Sequence, residues 1–113
     1  MHEYSIVRAL IDRVEREAAA HRATAVRRVE VRVGELAGVE SGLLATAYET
    51  FRERTICAGA ELVIRPVAAR WSCPRCSAEP AAGAMLRCPA CAVPLRLAAG
   101  DELVLERIEM EVA

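Results

Sequence analysis

The chain has 113 residues, 54% apolar and 27% charged, which suits one domain, or one domain with a small appendage, and argues against disorder. Fifteen basic residues, all arginine, face sixteen acidic ones, so the net charge is −1 and the basic excess typical of nucleic-acid binders is missing. No apolar run approaches the roughly 18–20 residues that span a bilayer, and MHEYS does not open a signal peptide. A soluble cytoplasmic protein, with neither membrane nor nucleic acid as partner, is expected.

Residues 4–22 read as an amphipathic helix. Ile6, Val7, Leu10, Ile11, Val14 and Ala18 recur at three- and four-residue spacing, with Arg8, Asp12, Arg13, Arg16 and Glu17 on the other face. The period then changes to two: Val29, Val31 and Val33 alternate with Arg28, Glu30 and Arg32, a half-buried strand ending at Gly34. A second helix is expected over about 40–53, its apolar side formed by Leu43, Leu44, Ala47, Tyr48 and Phe51. Gly59 allows a turn into a strand near 61–69, where Leu62 and Ile64 share a face and Pro66 marks an edge or a bulge. Residues 102–112 read as a closing strand. Leu103 and Leu105 lie on one parity and Ile108, Met110 and Val112 on the other, which predicts a bulge near Glu106–Arg107 or burial on both faces.

Between these strands, from 70 to about 97, prolines and cysteines replace any regular hydrophobic pattern. A segment this short buries little and needs a staple. The expected fold is α+β: a small three-stranded sheet covered by two helices, with an inserted zinc-ribbon-like module of four cysteines. Residues 1–69 plus 98–113 would form the first unit and 70–97 the second.

The staple is Cys73-x-x-Cys76, eleven residues, then Cys88-x-x-Cys91. Two residues between ligands let one tight turn aim both sulfurs at a single ion, and two such turns complete a tetrahedron. Pro74 and Pro89 help to fix those turns. All-thiolate tetrahedra suit zinc or a mononuclear iron. Neither pair carries the glycine that commonly follows iron knuckles, so zinc is favoured, and nothing points to export and disulfides. Four thiolates saturate the ion, which makes the site structural rather than hydrolytic.

Met1-His2-Glu3 carries a second pattern. Histidine is too large for methionine aminopeptidases, so Met1 should remain, with its α-amine beside an imidazole. The amine, the His2 amide and the His2 imidazole can chelate one metal in a plane, with the Glu3 amide or a carboxylate as fourth donor. Planar nitrogen-rich coordination is the preference of Ni(II) and Cu(II). A histidine at position 2 is more often a plain solvated residue, but a helix that starts at once would hold the terminus, whereas most termini fray.

MHEYS, VRVGELAGVE (31–40), AYETF (47–51), the two cysteine pairs and the closing GDELVLERIEMEV together resemble the HypA/HybF family, in order and over essentially the whole chain. These are nickel metallochaperones for [NiFe]-hydrogenase maturation, some of which also serve urease. The resemblance implies Ni(II) as transferred cargo at Met1, His2 and Glu3, and structural Zn(II) at Cys73, Cys76, Cys88 and Cys91. By position the family's further acidic contact falls on Glu40, where some members carry aspartate; Glu40 also reads as a helix-start residue favoured by the dipole. The implied partners are the maturation GTPase HypB and the hydrogenase large-subunit precursor, with the chaperone a monomer or homodimer.

Other residues take plainer readings. His21 suits a cap at the end of the first helix, and Cys57 suits a small buried thiol. Glu35 is either a solvated turn carboxylate or a partner contact. Trp71 suits packing at the base of the cysteine module, which Arg70, Arg75, Arg87 and Arg96 make locally basic against Glu79. There are no paired catalytic carboxylates or nucleophile constellation, and without lysine no phosphate loop, so the chain reads as a carrier and not an enzyme. The rival is a zinc-ribbon adaptor that binds protein or RNA and uses no nickel.

Overall fold

The computed structural model describes residues 2–80 and 86–113; the expected metal donor Met1 lies outside them. The elements run α1 (Glu3–Ala20), β1 (Ala23–Gly34), α2 (Ser41–Phe51), β2 (Glu61–Val67), β3 (Arg70–Ser72), β4 (Arg96–Ala99) and β5 (Leu103–Val112). Helix α1 buries the stripe Val7, Leu10, Ile11, Val14 and Ala18. It stops two residues before the expected end because Arg22 takes a left-handed φ of +54°. His21 caps it: the ring Nδ1 lies 2.8 Å from the Glu17 carbonyl.

Strand β1 begins at Ala23, six residues before Val29, where the legible alternation starts. Its register against β5 slips at Thr24 and again at Arg27. Each extra residue flips the pleat, so Val26 and Val29 are both buried although three apart. The sheet order is β2-β1-β5, with β1 parallel to β2 and antiparallel to β5. Pro66 stands opposite Val33 on β2, an edge strand, where a missing N–H is tolerated. The parity slip in β5 is a bulge: Glu30 faces Arg107 and Val31 faces Leu105, which leaves Glu106 without an opposite residue. Glu106 instead meets Arg32 at 3.0 Å.

Both helices cover one sheet face, as expected. Val7, Val14, Val29, Val31, Leu44, Tyr48 and Cys57 are each within 1% of full burial. At roughly 1.5–3 kcal/mol per large apolar side chain, this layer is what pins α1 and α2 to the sheet. The Tyr48 hydroxyl donates to the Ala60 carbonyl at 2.9 Å and so stays satisfied. Strands β3 and β4 form a separate two-stranded sheet that the sequence pattern did not reveal. Trp71 pairs with Leu97 there, at the base of the cysteine segment.

Candidate metal centres

The Sγ atoms of Cys73, Cys76, Cys88 and Cys91 all lie within 4.8 Å of one another, and Cys76 and Cys88 are 3.7 Å apart. Zinc–sulfur bonds of about 2.3 Å in a tetrahedron place sulfurs about 3.8 Å apart, so the cluster fits one zinc ion. Each pair is a knuckle of the same construction. In the first, the Cys73 N–H donates to the Ala78 carbonyl at 2.8 Å and the Ser77 N–H to the Cys73 carbonyl at 2.9 Å. In the second, Cys88 bonds Val93 at 2.9 Å and Ala92 bonds Cys88 at 2.8 Å. Ser77 and Ala92, each directly after a second cysteine, take left-handed φ values of +64° and +58°. The left-handed turns close without glycine.

The electrostatics suit a cation. Backbone N–H groups of Cys76 and Arg75 donate to the Cys73 sulfur at 3.4 and 3.3 Å. With the Cys76 N–H the largest influence, the Cys73 thiol is drawn down to about 6. The Cys91 thiol is pushed up to about 12, first by its hydrogen bond with the Cys76 sulfur and then by burial and the other sulfurs. Four adjacent sulfurs cannot all ionise without a positive ion between them. Arg70 braces the module through a bidentate pair with Glu79, at 2.9 and 2.8 Å. Among the described residues, these four cysteines form the one group of three or more metal-ligating side chains close enough to share an ion.

At the chain's start, His2 is the N-cap of α1 by position; its carbonyl accepts the Ile6 N–H at 3.0 Å, and its side chain makes no capping bond. Glu3 opens the helix and is only 5% exposed. Its Oε2 accepts the Glu40 N–H at 3.1 Å. Glu40 caps α2, with its Oε2 accepting the Leu43 N–H at 2.7 Å. Tyr4 and Phe51 add an edge-to-face ring contact, centroids 5.1 Å apart, between the same two helices. The structure thus brings Glu3 and Glu40 together, with the Glu40 carboxylate engaged in a cap.

Glu35 is the residue whose role the sequence left open. Its N–H donates to the Val67 carbonyl at 2.8 Å, and its Oε1 accepts the Ala69 N–H at 2.8 Å. A hydrogen bond to a backbone group 34 residues away leaves no trace in local pattern.

A helix-covered three-stranded sheet carrying a saturated four-thiolate knuckle pair defines a small α+β protein with a structural metal centre. The sequence matches the family described as "HypA: Hydrogenase/urease nickel incorporation, metallochaperone, hypA" over residues 1–110. It is 43% identical to the hydrogenase maturation factor HypA of Shewanella oneidensis, covering 100% of this chain and 98% of that protein. With the HypA of Aquifex aeolicus the identity is 34%, covering 99% of both. The solution structure of the Ni metallochaperone HypA from Helicobacter pylori superposes with a TM-score of 0.77 at 33% identity, over 100% of both chains. The chain belongs to the HypA family of nickel metallochaperones for hydrogenase maturation. No helix among the described residues is long and apolar enough to cross a membrane.

Proposed function

We propose that this chain carries Ni(II) at its start and delivers it to a [NiFe]-hydrogenase, with zinc held apart in the four-cysteine module. The Met1 α-amine, the His2 amide and the His2 imidazole supply nitrogen donors in one plane, and Glu3 supplies the next amide or a carboxylate. The observation that carries this reading is the anchoring of Glu3, a charged residue 5% exposed and bonded to the α2 cap. The anchor fixes the first turn of α1 directly beside the proposed donors, where chain ends otherwise fray. Glu40, the further acidic contact, holds Glu3 through its backbone N–H, and its carboxylate, with Oε2 capping α2, remains a candidate donor beside Glu3.

The division of labour follows the chain, with 1–69 plus 98–113 as the nickel unit and 70–97 as the zinc unit, although the end of β4 reaches across that boundary to pair Ala99 with Arg70. The carrier is cytoplasmic and catalyses nothing. Having no lysine, it contains no phosphate loop, so the nucleotide-driven step belongs to the GTPase HypB. The hydrogenase large-subunit precursor receives the metal by ligand exchange.

Titration of the zinc-loaded protein with Ni(II), beside His2→Ala, tests this. One nickel per chain is expected for the native protein and none for the variant, with zinc content and circular dichroism equal in both. Equal binding by both would overturn the reading and favour a zinc adaptor.

A further inference from the structure

The three- and two-stranded sheets meet at a neck of two connections, 68–69 leading out of β2 and 100–102 leading into β5. The molecule is elongated, 56 × 28 × 16 Å, so the pose of the cysteine module depends on what holds this neck. The end of β1 grips both connections. The Gly34 N–H donates to the Glu102 carbonyl at 2.8 Å and the Leu36 N–H to the Gly100 carbonyl at 2.7 Å. These bonds fasten the incoming connection with backbone alone.

The outgoing connection is held differently. The parallel register runs Val33 opposite Pro66 and Gly34 opposite Val67. Continued by one residue, it would have the Glu35 N–H donate to the Val67 carbonyl and the Glu35 carbonyl accept from the Ala69 N–H. The first bond is present at 2.8 Å. In the second, the Glu35 side-chain Oε1 accepts instead, also at 2.8 Å. The main chain has turned away, with Ala37 N–H bonding back to Gly34 at 3.0 Å, and the carboxylate stands in for the missing rung.

We propose that Glu35 is the positioning residue that latches the zinc module onto the nickel unit. Its carboxylate adds a last rung to the parallel ladder and so fixes the direction in which the chain leaves β2. Without it, the outgoing connection detaches at Ala69 while the incoming one stays fastened at Gly100, and the module swings about the 100–102 connection. A cavity of 160 Å³ lined by Arg32, Val67, Ala99, Gly100, Asp101 and Val104 adjoins the neck.

The test is amide hydrogen exchange and 15N relaxation on the full-length, zinc-loaded protein, comparing wild type, Glu35→Ala and Glu35→Gln. In Glu35→Ala the Ala69 amide should exchange about tenfold faster, the loss of one charge-assisted hydrogen bond. The amides of 71–79 and 87–97 should then tumble faster than those of β1. Glu35→Gln keeps an acceptor oxygen and should restore both readouts, with zinc content equal throughout. Unchanged Ala69 exchange and tumbling in Glu35→Ala would overturn the latch. So would a Glu35→Gln protein as loose as Glu35→Ala.

Discussion

The Glu40 N–H donates to the Glu3 carboxylate at 3.1 Å, so the residue that caps α2 also anchors the first residue of α1. Two roles of Glu40 can then be separated. Glu40→Ala removes the side-chain cap and should cost about 1 kcal/mol, or about 4 °C in Tm for a chain of this size. Glu40→Asn should recover most of that loss in thermal unfolding. Both variants keep the backbone N–H and should still bind one nickel. A stable Glu40→Asn protein that binds none would make the Glu40 carboxylate a nickel ligand.

Two glycines at the neck have no space for a methyl group. A Cβ on Gly34 would lie 2.2 Å from the Gly100 carbonyl oxygen, and one on Gly100, where φ is +103°, would lie 2.5 Å from the Ala69 Cα. These obstacles are backbone on both sides. Gly34→Ala should destabilise by about 3 kcal/mol or more, the range of severe backbone conflicts, whereas Gly59→Ala should stay within about 0.5 kcal/mol. Nothing lies within 4 Å of a Cβ at Gly59. Urea unfolding of the two variants makes the comparison.

The five cysteines should divide four to one under chelation. Zinc removal exposes Cys73, Cys76, Cys88 and Cys91 to a maleimide and changes the fluorescence of Trp71, while the helical signal from α1 and α2 persists, because metal binding is folding energy for the module alone. Cys57 is fully buried and should stay unlabelled. Its burial pushes the thiol up. A raised native value means that its stabilising share is complete below the ordinary thiol value of about 8.5 and is lost as pH rises further. Labelling of Cys57 should therefore begin only on alkaline or global unfolding. Five equally reactive thiols in the chelated protein at pH 7 would contradict this.

The left-handed residues of the knuckles offer a stabilising substitution. Ser77 and Ala92 hold φ values of +64° and +58°, where a Cβ costs on the order of 1 kcal/mol relative to glycine. Ser77→Gly and Ala92→Gly should each slow zinc loss to a competing chelator several-fold, and together more. Faster loss from both would show that the Cβ atoms are not strained there.

Much of this was legible because it is periodic or fixed in spacing. The stripe from Val7 to Ala18 announces α1, and the cysteine pairs announce the metal centre. The parity slip after Leu105 announces a bulge, which the register places at Glu106. The start of β1 was hidden because extra residues at Thr24 and Arg27 interrupt the alternation on which recognition of a strand depends. Strands β3 and β4, of three and four residues, are too short to show a period. The anchoring of Glu3 and the grip of Glu35 on Ala69 join positions 37 and 34 apart in sequence. A carboxylate beside a helix start or after a strand looks solvated until the opposing N–H is placed.

The proposed nickel site is the chain's own terminus and not the cysteine cluster. The most direct measurement is a Ni(II) titration of the zinc-loaded protein in two forms, one with the native start and one with the Met1 α-amine blocked by acetylation. Blocking keeps the His2 imidazole, Glu3 and all four zinc cysteines but removes the α-amine as a donor. One nickel per native chain and loss of that binding in the acetylated form is the predicted result. Equal nickel binding by both forms would contradict the account.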